Sequence, residues 1–340
     1  MAMVGLKLKL RIVPFVVAAL TAVVMTATPA AAQVDPRNLG DGGVIRVPTN
    51  PASTGSWIQA VVEKYQLEKK YNVKIDYQMS SVTQLTANAI QTGAADLATF
   101  QFVQIALMRK AGAKIVAVAP FLAWGANQVI VPVDSTLKTV GDLRGKKLGI
   151  FNNIDIDWIV VQAIAKRDFK LDPKDIQTQV AGIGLLQALI QNGGLDATTV
   201  FNNLTPQLVS GGKVKVLVNI RDLIADLGLP EMPFLFQSVR EEYAKEHPQN
   251  VRAYLAAFRE AVAILAKDDE IWVTHGAKLG LTPDTITRLR VVLLKDMVPQ
   301  FKPTVEADVN KAFEFILREA PSAVGGLSEL QSGWITLDYQ

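Results

Sequence analysis

Two periodicities alternate along this chain. Residues 44–48 form a short apolar run, and residues 49–55, TNPASTG, are turn formers and small hydroxyls. Trp57, Ala60, Val61, Tyr65 and Leu67 then recur at helical spacing, with Ser56 as the expected N-cap. Val73, Ile75, Tyr77 and Met79 alternate with polar residues, the period of a half-buried strand. Another helix follows Ser80 and Ser81 and closes at Gly93, where a left-handed C-cap is expected. Residues 97–103 predict a buried strand, and 115–118 with 128–133 a strand pair leading onward.

The same order then returns. Residues 139–143 predict a short helical turn, 147–151 a strand, and 157–169 a helix with Trp158, Val161, Ile164 and Ala165 on one face. Residues 176–180 are a weaker strand, 182–184 lead into a helix, and 197–201 and 214–218 are strands. The residues themselves repeat: 85–99 read LTANAIQTGAADLAT and 185–199 read LLQALIQNGGLDATT. Leu85, Ile90, Gln91, Gly93, Asp96 and Thr99 thus recur 100 positions later, and Trp57 answers to Trp158. Two α/β units of one design predict two lobes facing each other across a cleft, with the chain crossing back near residues 219–222. The last third reads as helical, over 249–267, 269–279, 282–295 and 304–319, and is expected to pack on the first lobe.

Residues 1–32 stand outside this pattern. Lys7, Lys9 and Arg11 precede the apolar stretch 12–24, and Ala30-Ala31-Ala32 before Gln33 matches a signal-peptide cleavage site, so cleavage after Ala32 and a periplasmic address are expected. Removing that segment leaves 308 of the 340 residues, enough for two domains. It also changes the charge. The chain has 35 Lys plus Arg and 32 Asp plus Glu, but three of the bases and no acid lie in the segment, leaving 32 of each. A neutral mature chain makes no electrostatic case for nucleic acid. There is no cysteine, hence no disulfide, thiolate metal site or lipid-modifiable Cys at the cleavage point.

Three segments carry a family resemblance: residues 128–135, ending VIVPVDS; residues 137–149, LKTVGDLRGKKLG; and residues 188–197, ALIQNGGLDA. With these the chain resembles the solute-binding proteins of ABC importers, in the nitrate, sulfonate and taurine group that includes thiamine-precursor binders. The resemblance runs from about residue 44 to 219 and more loosely to 340. It implies a two-lobed periplasmic binding protein fold of type II: two similar α/β domains, a cleft between them and a helical C-terminal region. It further implies a first lobe of residues 33–130 and 221–340, a second of 131–220, a monomer, and handover of a small-molecule solute to an inner-membrane ABC permease with its cytoplasmic ATPase.

Ligands of open α/β sheets sit beyond the carboxyl ends of the strands, near helix N-termini. That places Ser53, Thr54, Gly55, Ser80, Ser81, Thr99, Phe100 and Gln101 in the first lobe as candidates. In the second lobe the candidates are Asn152, Asn153, Asp155, Asp157, Thr199, Phe201 and Asn202, with Trp124 at the crossover. Each has a structural alternative. Ser53 to Ser56 serve equally as turn and cap, Asp157 as an N-cap, Trp57 and Trp158 as core, Asp96 and Asp196 as turn residues, and Trp124 as packing.

The cleft loops hold no Lys or Arg, and the acids before Trp158 depart from the family's small-hydroxyl pattern, which is unfavourable for an oxyanion. Two solute readings therefore stand side by side: a sulfonate-like or taurine-like solute from the family, or a neutral, zwitterionic or nitrogen-rich aromatic one such as a thiamine-precursor pyrimidine, stacked on Phe100, Phe102 or Phe201. Catalytic groups, cofactors and metals are not expected. Residues 141–147 fail as a phosphate loop, no G-x-S-x-G occurs, and His247 and His275 are far apart. An enzyme of the pyrimidine-synthesis type would be intracellular with a cysteine-rich motif, and a regulator would carry a helix-turn-helix ahead of the fold.

Overall fold

Each half of the repeat builds a layer of five strands in the same spatial order. In the structure, a computed structural model that describes residues 39–50, 53–79, 83–153 and 155–340, β1 (Val44–Thr49) runs parallel to β2 (Lys74–Met79). Alongside them, β3 (Leu97–Gln101) and β4 (Ile115–Ala123) flank β10 (Pro233–Arg240), which is antiparallel to both. Asp96 N–H donates to Arg46 O at 2.9 Å and Arg46 N–H to Asp96 Oδ2 at 2.9 Å, stitching β1 to β3. The order across is β2, β1, β3, β10, β4.

The second layer is β7 (Gln177–Val180), β6 (Lys147–Ile150), β8 (Ala197–Val200), β5 (Gln128–Pro132) and β9 (Val214–Asn219). In this layer β7, β6 and β8 are mutually parallel, and the fourth strand is, as in the first layer, antiparallel to its neighbours. The stitch recurs: Asp196 N–H donates to Lys147 O at 3.0 Å, and Lys147 N–H to Asp196 Oδ2 at 2.8 Å. The repeated aspartates are thus more than turn residues. Each holds the neighbouring parallel strand in register.

Two crossovers exchange the fourth strands. After β4 the chain passes residues 124–127 and enters the second layer as β5; after β9 it returns through α8 (Ile220–Asp226) and enters the first as β10. Two expectations need correcting. The strands near 115 and 128 do not pair, because one belongs to each layer. The last third opens with the strand β10, which the helical reading omitted: it is covered on both faces, so PFLFQSVR shows no alternation.

The first lobe adds α1 (Thr54–Lys64), α2 (Leu67–Tyr71), α3 (Thr83–Gln91) and α4 (Phe102–Lys110). Helix α1 begins earlier than expected, with Ser53 and not Ser56 at its N-cap; the Ser56 hydroxyl bonds Ser53 O at 2.9 Å. The expected stripe also breaks. Tyr65 is exposed, Gln66 takes a left-handed φ of 51°, and Leu67 reaches the core from α2. The second lobe adds α5 (Ile156–Phe169), α6 (Ile183–Gln191) and α7 (Thr205–Ser210). Gly93 and Gly193 both end their repeat helices at φ +75°, the left-handed geometry expected for the first.

Beyond β10 lie α9 (Glu241–Glu246), α10 (Pro248–Leu265), α11 (Asp269–Lys278), α12 (Pro283–Asp296) and α13 (Val305–Glu319). They do not all pack on the first lobe. Helix α10 covers α1 and α2, and Trp272 of α11 stacks on Trp57 at 4.5 Å, but α12 packs on α7 and α13 on α5. The described residues from 39 to 340 consequently form one compact unit. Trp57 and Trp158 are both buried.

Behind the second layer's strand ends, Gly149 of β6 marks a tight approach. A Cβ there would come within 2.6 Å of Leu195 Cδ1, 2.7 Å of Leu186 Cδ2 and 2.7 Å of Thr198 Oγ1. All three neighbours are buried, so Gly149→Ala is expected to overpack the layer and cost about 1–3 kcal/mol, read as a lowered urea midpoint at unchanged slope.

Candidate functional site

The carboxyl ends of β6 and β8 open onto a cavity. Thr198, Thr199, Val200 and Phe201 form one wall, Phe151 and the start of α5 another, and Ile183, Leu186 and Gln187 of α6 a third. Asn127, the last residue before β5, closes the floor with Asp155 and Asp157. Among the described residues, no Lys, Arg or His lines the space. Phe151 and Phe201 meet edge to face at 5.8 Å, and Phe151 is 37% exposed.

Helix α5 creates the acidic floor. Asp155 is its N-cap, replacing the expected Asp157, and the Asp155 carboxylate accepts the Asp157 N–H at 2.9 Å. Asp157 follows in the first turn, 4% exposed, where its Oδ2 accepts Asn127 Nδ2–H at 2.6 Å. Burial, then the neighbouring charge of Asp155, push Asp157 up to about 8 against the pull of Asn127. Burial also raises Asp155, although the backbone N–H groups of Asp157 and Trp158 oppose it.

A buried polar relay leads away from this floor. Asn202 N–H donates to Asn127 Oδ1 at 3.0 Å, and Asn202 Nδ2–H donates to Asp296 Oδ2 at 2.8 Å. Asp296, the last residue of α12, also accepts Arg221 Nη2–H at 2.6 Å. The pocket is therefore wired to the end of α12 and to α8, the returning crossover.

Of the residues singled out from sequence, Asp155, Asp157, Thr199 and Phe201 are brought together in this cavity. Asn202 lies behind it, 3% exposed, in the relay. Asn152 and Asn153 sit beside it in the loop after β6. Trp124 is buried, tilted against Phe315 at 6.4 Å, with its indole N–H unpaired. Phe100 and Phe102 are buried in the first lobe and present no ring to the cavity.

In the first lobe, Ser53 caps α1, and Thr54 and Gly55 form its first turn beyond β1. Thr99 is half-buried on β3, and Gln101 caps α4, where its backbone N–H takes the Gln104 side chain at 3.1 Å. Ser80 and Ser81 lie outside the described residues, as does the expected export segment. Sequence reasoning missed Asn127, Phe151 and Gln187. It also missed Gln237 of β10, opposite Thr99, which is 1% exposed with neither amide atom hydrogen-bonded.

A family model described as NMT1/THI5 like matches residues 69–270, more than half of the chain. Among curated proteins no sequence match is found. Among solved structures, the alkanesulfonate-binding protein SsuA from Xanthomonas axonopodis pv. citri, bound to MOPS, is similar at a TM-score of 0.71 and 18% identity, over 86% of this chain and 98% of that one. The periplasmic aliphatic sulphonate binding protein SsuA from Escherichia coli matches at 0.66 and 22%, over 81% and 87%. The desulfurization enzyme DSZB matches at 0.64 and 13%, over 87% and 97%. At these identities the likeness is one of fold: two α/β lobes and a helical C-terminal region.

Proposed function

The chain belongs to the NMT1/THI5-like family, and on that premise we propose that it is the extracytoplasmic solute-binding component of an ABC uptake system. It captures a small organic solute between its lobes and delivers it to a membrane permease served by a cytoplasmic ATPase. The mature protein begins after Ala32 and works in the periplasm as a monomer, with the lobes divided near residues 130 and 220. The observation that carries this is the cavity at the carboxyl ends of β6 and β8, polar on its floor and aromatic at its mouth.

Thr199, Phe201, Asp155 and Asp157 hold the solute from one side, together with Asn127, Phe151 and Gln187. Ser53, Thr54, Gly55, Ser80, Ser81, Thr99 and Gln101 meet it from the other when the lobes close, and the permease reads that closure. Of the two solute readings, the acidic floor without a cation favours the nitrogen-rich aromatic one over a sulfonate-like or taurine-like one. The desulfurization enzyme DSZB is similar in fold, so binding without turnover is part of the proposal.

The test is native mass spectrometry of protein exported to and purified from the periplasm, followed by a thermal-shift screen of sulfonates, taurine, nitrate and pyrimidines. A retained small molecule that raises the melting temperature at stoichiometric levels is expected, with the bound mass unchanged on incubation. No retained mass and no shift would contradict solute capture, and conversion of the molecule would contradict a purely binding role.

A further inference from the structure

Resting on the solute-capture reading above, we infer that the solute is a planar cation carrying N–H donors, which docks its charged end on Asp155 and Asp157 beside the Phe151–Phe201 pair. Three features of the cavity converge on that chemistry. The first is a buried carboxyl on the cavity floor. Asp157 is 4% exposed and lines the cavity, where Asn127 Nδ2–H donates to its Oδ2. A buried carboxylate oxygen in this position calls for an N–H from the occupant.

The second feature is the absence of a compensating charge. Arg221, on α8 packed against α5, is held by Asp296 at 2.6 Å. Lys311 and Arg318 of α13, Asp222 of α8, Asp142 of the turn at 140–143 and Lys174 of the turn at 173–175 also sit on elements packed against α5, yet among the described residues Asp155 is the one charge acting on Asp157. An anion would meet an acidic pair and no cation among the lining residues, whereas a cation supplies the charge that the floor lacks. The third feature is the edge-to-face Phe151–Phe201 pair at the mouth, which suits a flat ring and attracts positive charge over its faces.

A proton count follows. With Asp157 pushed up to about 8, its ligand-free carboxyl holds a proton at neutral pH. A docked cation favours the doubly ionised pair, so that proton leaves to solvent as the cation enters. Below about pH 8 affinity then rises with pH, by up to about tenfold per unit, and levels off once the pair is ionised.

Three probes of one shape separate the possibilities: benzamidine (cation), benzamide (neutral) and benzenesulfonate (anion), titrated calorimetrically into the mature protein at pH 6, 7 and 8. Benzamidine is expected to bind, about tenfold more tightly at pH 7 than at pH 6, with proton release seen as a buffer-dependent heat. Asp157→Asn is expected to weaken it at least about tenfold and to abolish the pH dependence while the variant melts no lower than wild type. Phe201→Ala is expected to weaken all binding at this mouth. Benzamide or benzenesulfonate binding as tightly as benzamidine in a Phe201-dependent way would overturn the cation and leave solute capture standing. Failure of benzamidine to bind at any of the three pH values would also overturn it, and the co-purified mass then decides solute capture separately.

Discussion

Asp157→Asn is expected to raise the stability of the ligand-free protein at pH 8 by a few kcal/mol, about several degrees in melting temperature, and to leave it nearly unchanged at pH 4. In the unfolded chain this carboxyl loses its proton near pH 3.9, whereas in the folded protein burial and Asp155 hold the proton to about 8. Between those values the folded state binds more protons than the unfolded one, so stability falls as pH rises, by at most about 1.4 kcal/mol per pH unit. Asparagine keeps the acceptor for Asn127 and does not titrate. The difference between the melting curves of the two proteins should therefore grow from pH 4 to pH 8 and then stay level. Opposite slopes from carboxylates held low, such as Asp268 and Asp284, occur in both proteins and cancel. A constant difference across the range would show that Asp157 is ionised in the folded protein throughout. A buried like-charge pair that costs stability is the kind of feature a binding site retains.

Asp96→Ala is expected to cost about 3 kcal/mol, against about 1 kcal/mol for the repeat-related Asp196→Ala. Both aspartates bond the backbone N–H of the adjoining parallel strand. Only Asp96 also anchors guanidinium groups: Arg46 on both oxygens, at 2.8 and 2.6 Å, and Arg240 at 3.1 Å. Its side chain is 1% exposed, and although burial pushes its pKa up, the hydrogen bonds from Arg46 and Arg240 hold it below the ordinary range. Removing it strands Arg46 and leaves Arg240 with Glu242 as its acidic partner at 3.0 Å, at the junction of β1, β3 and β10. The arginines are partly exposed, which keeps the loss below that of a fully buried pair. Urea titrations of the two variants at pH 7 check the ranking, and equal losses would mean that the backbone stitch alone matters.

Much of the architecture was legible because it is written twice. The matching Ile90/Ile190, Gly93/Gly193 and Asp96/Asp196 positions become helix core, left-handed C-cap and strand stitch in both lobes. What escaped was whatever depends on the crossovers. Strand β10 is sandwiched between β3 and β4 and covered on both faces, so no period betrays it, and β5 resembles a continuation of the first lobe until its partners β8 and β9 are known.

The site follows the same rule. Asp155, Asp157, Thr199 and Phe201 sit at strand and helix ends of one unit, where a general rule about sheets finds them. Asn127 reaches Asp157 only because β5 is inserted beside β8, 30 residues away along the chain. Gln187 occupies a polar position on an amphipathic helix and reads as solvent-facing. Phe151 closes a strand run and reads as core, although it stands partly in solvent. Phe100 and Phe102 illustrate the converse: aromatic residues beyond a strand end that pack inward.

The most direct test is a crystal structure of the protein purified from the periplasm with its co-purified solute. Density is expected beside the Phe151–Phe201 pair, within hydrogen-bonding distance of Asp155 and Asp157, and contacted from the first lobe around Thr99. A solute bound elsewhere, or an empty cavity in a protein whose retained small molecule is established by mass, would contradict the assignment of this pocket.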